Sequence, residues 1–548
     1  MLFNSGIFFG FFAAFFTLYW LLRHFLADRA VASQNGLILA GSYLFYGWWD
    51  ERFLLLIALS TACDYVCGLG VAGPRYPKRA IVKALTFLAC VSLLALGPTV
   101  STSWPYLVAA LGAGGLLAAI IRGIEFMSGP QRRKAYLLLS VLLNLGLLGT
   151  FKYFGFFTES LVAAFNSVGL QLHAPMVKIL LPVGISFYTF QTLSYTIDIY
   201  RKQMQPSEKL IDFAAYVAFF PQLVAGPIER AKNLLPQFQA PRLFERQKIE
   251  SGALLFLWGL FKKIAIADNL APLANAAFAD PSQTSPSLMV IGVIAFTFQI
   301  YCDFSGYSDM ARGLARMLGF NLMLNFNLPY FSRTPSEFWQ RWHISLSSWL
   351  RDYLYVPLGG NRNGKLRTYR NLALTMLIGG LWHGAAWTFI IWGAFHGAIL
   401  VLYRLSRIDQ RLERTAISGR GLGLHVSAWV LMSILTLIGW TLFRAASLPE
   451  ALVALQLCGQ AVLSGAIITE LPFLEQAGTL AFYTLPLIGV QVWQRFKDKL
   501  EFLILPNLAR VRRAPVRAFL QYNLLLAVLC GAIFLAAEGT QEFIYFDF

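Results

Sequence analysis

The chain has 548 residues, of which 57% are hydrophobic and 13% charged, and it carries a net charge of +17. Soluble domains average about 25% charged residues, so this composition excludes an ordinary soluble enzyme. The basic residues sit in short loops between apolar runs, which is the positive-inside pattern of a polytopic membrane protein and not a nucleic-acid face.

The first apolar run, Ile7 to Leu22, has no basic residues ahead of it and no small-residue cleavage site behind it, so a retained span is expected. Arg23 and Arg29 follow, which places the N-terminus outside. Further apolar runs occur near 36–47, 52–71, 80–98, 105–121, 135–150, 178–198, 211–225, 251–267 and 287–303. They predict an all-α polytopic membrane protein of roughly a dozen membrane segments, in which runs shorter than ~20 residues tilt, re-enter or lie within protein. No soluble domain interrupts them, so 1–548 reads as one integral-membrane domain. Cys63 and Cys67 are spaced four apart without histidine neighbours, and neither a disulfide framework nor a metal site is expected.

Polar motifs interrupt the central region. LPVGISFYTFQTLSYTIDIYR (Leu181 to Arg201) places hydroxyls and Gln191 inside an apolar segment, a pattern that fits interhelical hydrogen bonding. FPQLVAGPIER (Phe220 to Arg230) puts Pro221 and Pro227 where a helix must end, and the polar stretch after it, to Glu250, reads as a cytoplasmic loop. YCDFSGYSDMARGLARMLGF (Tyr301 to Phe320) carries Asp303 and Asp309; Asp309 is expected to pair with Arg312 one turn on, an anchoring role that needs no chemistry.

The centre of the chain is the stretch 333–402. Its first half is basic and aromatic, and Trp339, Trp342, Trp349, Tyr353 and Tyr355 interleave with arginines as in a segment lying at the headgroup level. PLGGNRNGK (Pro357 to Lys365) is a glycine-rich turn or a backbone nest for phosphate, with Arg362 and Lys365 as charge partners. Its second half is apolar for ~32 residues, too long for one simple crossing and too short for two with a turn. Glycines 379, 380 and 384 interrupt it, and His383 stands on that break, roughly 20 Å beyond the basic edge at ~1.5 Å per residue. An ionisable imidazole at that depth is expensive and usually functional.

At the C-terminal end, Arg510, Arg512, Arg513 and Arg517 precede an apolar run from Ala518 to Ala537. The tail 538–548 has acidic residues and no basic one, so both termini are expected outside the cytoplasm. Its aromatic FIYFDF either anchors the last helix at the interface or presents the Tyr545 hydroxyl at the outer face.

FWQRWHISLSSWLRDYLYVPLGGNR followed by GLWHGAAWTFIIWG resembles the signature of the membrane-bound O-acyltransferases, in the bacterial branch that serves alginate O-acetylation. The motifs at 181–201 and 220–230 resemble the same family. The resemblance implies a bundle with re-entrant and amphipathic helices around a central catalytic tunnel. It implies His383 as the catalytic histidine, here expected to act as the base, and His343 as a second polar residue of the site, while Arg341, Arg351, Arg362 and Lys365 by their own charge could frame a mouth for an anionic donor. That donor would be acetyl-CoA, as substrate and not as bound cofactor. Acyl transfer to a hydroxyl needs a base for the proton and donors for the oxyanion, and a neutral imidazole suits the first task.

The resemblance also implies a bacterial inner-membrane location, surrounding lipid, and a periplasmic or surface polysaccharide acetyltransferase as partner. It makes Tyr545 a candidate acyl carrier. His396 reads as structural, and His24, His173 and His425 receive no role. D-alanyl transfer toward an envelope polymer is the rival within the family. A lipid or glycan transporter with His383 as proton relay is the rival from another class, although no internal duplication is visible.

Overall fold

The computed structural model describes residues 1–26, 29–73, 78–96, 100–173, 179–415, 418–465, 471–504, 531, 534–536 and 543–544. Among them every regular element is a helix. Seven are long and apolar enough to cross a membrane: Gly6–Phe25, Phe53–Ala72, Trp104–Ile124, Gly129–Ser167, Pro286–Met317, Trp387–Ser406 and Gly421–Arg444. Shorter apolar helices at Leu210–Leu223 and Leu448–Ser464 add to them, and the chain is a multi-pass membrane protein. It divides into two compact units, 1–252 with 311–323, and 253–310 with 324–548.

The first unit holds α1 (Gly6–Phe25), α2 (Ala30–Gly47), α3 (Phe53–Ala72), α4 (Lys78–Leu96), α5 (Val100–Ile124), α6 (Gly129–Leu148), α7 (Phe154–Ser167) and α8 (Ile185–Tyr200). Helix α3 packs against α4, α6 and α8. It buries Asp64, whose carboxylate accepts from Ser140 Oγ at 2.6 Å and from Asn144 Nδ2 at 2.8 Å. Thr192 Oγ1 of α8 donates to Asn144 Oδ1 at 3.1 Å, and Gln191 Nε2 to the Tyr216 carbonyl at 2.8 Å. Gln191, Thr192 and Thr196 of the 181–201 motif thus bond between helices, as the sequence suggests. Ser194 Oγ instead donates within its own helix, and the Tyr188 and Thr189 hydroxyls are buried without a hydrogen-bond partner among the described residues.

The next helices correct the reading of 231–250 as a loop. After α9 (Leu210–Val217) and the single turn α10 (Phe220–Leu223) come α11 (Ala231–Gln239) and, from Arg246, α12 (Arg246–Phe261). Leu234, Leu235 and Phe238 recur at helical spacing and are fully buried, so a sequence that looks polar overall still has one apolar face. Arg242 is buried as well; its guanidinium lies 5.1 Å from the Phe320 ring and bonds Gln34 Oε1 at 3.3 Å. Pro221 begins α10 and does not end a longer helix, and α9 and α10 are too short to cross a membrane.

The second unit holds α13 (Asp268–Ala279), most of α14 (Pro286–Met317), α15 (Pro335–Arg341), α16 (Ile344–Leu350), α17 (Lys365–His383), α18 (Trp387–Ser406), α19 (Ile408–Arg414), α20 (Arg420–Arg444), α21 (Leu448–Ser464) and α22 (Leu471–Ile504). The ambiguous apolar run resolves into a hairpin. Helix α17 starts inside the basic stretch and ends on His383, three residues turn the chain, and α18 returns alongside. The basic start of α17 supplies the length that the apolar run alone lacked.

Candidate active site

The hairpin sets the depth of His383. A Cβ on Gly380 would stand 2.2 Å from the Phe389 carbonyl oxygen, and one on Gly393 would stand 2.4 Å from that of Met376. Glycine at both positions lets the α17 and α18 backbones touch. His383 closes α17 and is 3% exposed. Its ring meets Trp382 at 5.1 Å, Trp392 at 5.0 Å and Phe443 at 5.5 Å, each edge to face.

His343 arrives from the turn between α15 and α16, with φ of 43°. Trp342 ahead of it is buried, stacked on Phe338 at 5.7 Å and packed on Trp440 at 4.7 Å. The His343 side chain is wholly buried, and its Nδ1 lies 3.2 Å from Asn325 Oδ1. That amide oxygen also accepts the Ser345 N–H at 3.2 Å and the Ser345 hydroxyl at 2.9 Å, while Asn325 Nδ2 donates to Ser308 Oγ at 3.2 Å. The backbone donor at Ser345 fixes the amide's orientation, so Nδ1 of His343 carries the proton and Nε2 is the basic nitrogen. Asn325 is thus the residue that sequence reasoning missed. Its only signal was an asparagine among apolar residues in NFNLPY.

The two imidazole centroids stand 6.2 Å apart, at 64°. Trp382 bridges them, 5.8 Å from His343 and 5.1 Å from His383, and Phe304 backs His343 at 4.7 Å. Two buried titratable rings share one aromatic-walled space, where electrostatic interactions are stronger than in water. Such a pair can take a proton from an attacking hydroxyl and return one to a leaving group.

The proposed donor residues divide. Arg341 lines a polar cavity of about 370 Å³ with Asn327, Arg333, Glu337 and Asp409. Its guanidinium is tied to Glu337 at 3.0 Å, a carboxylate it shares with Arg333 at 3.4 Å, and to the Asn327 carbonyl at 3.1 Å, so it is already engaged by the protein. Arg351, Arg362 and Lys365 do not line that cavity; all three are exposed, with Arg351 on Asp352 at 2.7 Å. In the 357–365 turn, the Gly359, Gly360 and Arg362 amides donate to the chain's own carbonyls at 2.9–3.1 Å, so these three are not a ready phosphate nest. Gly359, Gly360 and Gly364 have φ of 108°, 53° and 87°, which explains the glycines by conformation alone.

Outside the histidine pair, the other polar residues contact neighbouring elements of the second unit. His396 packs among Phe338, Trp339 and Trp392, and Trp392 also meets His383. His425 accepts from Arg333 at 3.1 Å and donates to the Thr415 carbonyl at 3.0 Å. Asp309 pairs at 2.8 Å with Lys262, a cross-helix partner that spacing along its own helix could not suggest. The anchoring role expected of the two aspartates holds. Asp303 pairs with Lys263 at 2.7 Å, and Lys263 also pairs with Asp268 at 2.9 Å. Tyr545 lies outside the described residues.

The model of the membrane-bound O-acyltransferase family matches residues 201–435 of this chain. A probable alginate O-acetylase of Azotobacter vinelandii is 41% identical over 454 residues, covering 82% of this chain and 76% of that protein. A peptidoglycan O-acetyltransferase of Helicobacter pylori is 37% identical over 59% of this chain and 64% of its own length. A teichoic acid D-alanyltransferase of Streptococcus thermophilus is 32% identical over 40% of this chain and 56% of its own.

Proposed function

Because this chain belongs to the membrane-bound O-acyltransferase family and is an acyltransferase, we propose that it passes an acetyl group from cytoplasmic acetyl-CoA across the bacterial inner membrane for O-acetylation of an exported polysaccharide such as alginate. The observation that carries this reading is the buried pair His343 and His383 with centroids 6.2 Å apart. Both termini face outward in this reading, and the acetyl group goes on to a periplasmic or surface acetyltransferase partner. Neither acetyl-CoA nor the partner need be held permanently by the chain.

The acceptor hydroxyl attacks the thioester carbonyl while His383 removes its proton, forming a tetrahedral oxyanion. His343, held by Asn325 through Nδ1–H, steadies the geometry around that oxyanion. The carbon–sulfur bond then breaks, and the imidazolium returns the proton to the departing thiolate, giving an acetyl ester and free coenzyme thiol. Tyr545 is the candidate hydroxyl on this chain to hold the acetyl group in passing. The exposed Arg351, Arg362 and Lys365 are the better candidates to meet the donor's phosphates, since Arg341 is already held by Glu337 and the Asn327 carbonyl.

Transfer of D-alanyl or another acyl group to an envelope polymer is the second reading, favoured by shorter matches such as the 32% relative over 40% of the chain. The test is label transfer from radiolabelled acetyl-CoA in membranes, comparing the intact protein with His383→Ala. Loss of roughly 10²–10⁴-fold is expected for a general base. Equal transfer in both would remove His383 as the base, and no transfer in either with the partner supplied would remove acetyl-CoA as donor. Tyr545→Phe with unchanged polymer acetylation would end the carrier role.

A further inference from the structure

Two described residues near the C-terminal end of the sequence lie in the interior of the second unit. Phe543 is 1% and Ile544 7% exposed. The Ile544 N–H donates to Asp303 Oδ2 at 2.7 Å, across 241 residues of sequence. The other oxygen of Asp303 pairs with Lys263, and Lys263 with Asp268, and all three side chains are at most 6% exposed. A second tie lies close by in sequence: Asn269 Nδ2 donates to the Leu535 carbonyl at 2.7 Å. The π-type turn Lys262–Ala267 interrupts the helical run there, as such turns often do at functional positions.

This dock adjoins the histidine pair. Phe543 packs on Tyr307 at 4.8 Å and on Phe304 at 6.0 Å, and Phe304 is the ring set edge-on to His343 at 4.7 Å. One aromatic side chain therefore separates the chain's own C-terminal segment from an imidazole of the candidate site. Burying three ionisable groups is costly, and here the arrangement leaves one carboxylate oxygen directed at a backbone amide far along the chain.

We propose that Asp303 is a positioning residue for acyl transfer: held by Lys263, it clamps the Ile544 amide so that Phe543 forms, through Phe304, the acceptor-side wall of the His343 pocket. The acceptor side is assigned from charge, since the basic residues 510–517 precede the final apolar run and the tail beyond it has none. The proposal rests on the acyltransfer reading above and deepens it. Loss of the clamp loosens the wall on which an acceptor hydroxyl is aligned, so the thioester is opened unproductively by water.

The test uses the full-length protein in membranes, with a photo-crosslinking benzoylphenylalanine at position 543 and, separately, radiolabelled acetyl-CoA. The intact sequence should crosslink to the peptide holding Phe304 and Tyr307. Asp303→Ala should abolish that crosslink and lower the ratio of acetyl transferred to coenzyme released by about tenfold, equivalent to ~1.4 kcal/mol. Lys263 keeps Asp268 as partner in this variant, which favours its folding. Asp303→Asn, which retains an oxygen for the amide, should fall between the two, and Phe543→Ala should lower the ratio with the clamp intact. An unchanged crosslink in Asp303→Ala refutes the clamp. An unchanged ratio, even with lower turnover, refutes the positioning role and leaves a structural one. Failure of acetyl-CoA use by the intact protein overturns the acyltransfer reading, while the crosslink still decides the clamp.

Discussion

Replacing Asn325 with alanine tests the site through a residue that touches neither donor nor acceptor. The side chain accepts from His343 Nδ1 at 3.2 Å and from Ser345 Oγ at 2.9 Å, and donates to Ser308 at 3.2 Å. Its loss frees the His343 ring to rotate or change tautomer. Ser345 Oγ, already 3.4 Å from Nδ1, is a poor substitute of opposite preference. Removing a partner that orients a functional histidine costs about 10–100-fold in activity by analogy with the outer shells of metal sites, or ~1.4–2.7 kcal/mol. Orphaning the buried donors costs a further ~1–3 kcal/mol of stability. Acetyl transfer from labelled acetyl-CoA should therefore lose kcat while KM for the donor stays within about twofold, the pattern of a lost transition-state interaction. Asn325→Asp keeps an acceptor for Nδ1–H and should retain more activity than alanine. A kcat within about twofold of the intact protein, or a proportional rise in KM, would refute the role assigned to Asn325.

Gly380→Ala should force α17 and α18 apart, because its Cβ would stand 2.2 Å from the Phe389 carbonyl; a loss of ~1–3 kcal/mol in thermal stability in detergent, with transfer reduced, is expected. Burial pushes the Glu229 carboxyl from its usual 4.5 up to about 7, against the pull of the Met323 amide, Arg230 and Arg312. The raised value means that the folded state holds this proton more tightly. Its contribution is full below pH 4.5 and is lost as pH rises through about 7, on the order of 3 kcal/mol in all. Glu229→Gln keeps an acceptor for the amide and should flatten the fall in melting temperature between about pH 5 and 8, and parallel curves would disprove the assignment. Arg351→Ala and Arg362→Ala should raise donor KM without changing stability, both being exposed, whereas Arg341→Ala should destabilise the α15 region by leaving Glu337 without one of its arginines.

How much of this was legible in the sequence depends on whether a role is local. His383 was legible because a histidine deep in an apolar run is costly wherever its partners lie, and the break beside it is written in Gly384. The roles of Gln191 and Thr192 were legible because hydrogen bonding between helices is what such groups ordinarily do in a bundle. Asn325 was not, because its task is defined by a histidine 18 residues later and a serine beyond it, brought together by a left-handed turn at His343 that no residue type announces. The Lys262 partner of Asp309 was not legible either, since the π-type turn carries Lys262 and Lys263 to the face of α14 from a distant stretch of sequence. Spacing along one helix predicts neighbours on that helix alone.

Asp64 offers a contrast with the candidate histidine pair. It is as buried as His343, but Ser60, Ser140 and Asn144, all small neutral donors on α3 and α6, surround its carboxylate at 2.6–3.3 Å. A charge so enclosed has no route to a substrate, and its energy is spent on joining helices. Asp64→Leu leaves Ser140 with Thr196 at 2.9 Å and Asn144 with the Ser140 carbonyl at 2.9 Å, so part of the network survives. A loss of ~1–3 kcal/mol in stability is expected, with kcat per folded molecule unchanged. Asn325→Ala should do the reverse in emphasis, sparing donor KM and lowering kcat in molecules that remain folded. If Asp64→Leu lowered kcat at constant folded fraction, the first unit would contribute to the chemistry, and assigning the active site to the histidine pair alone would be wrong.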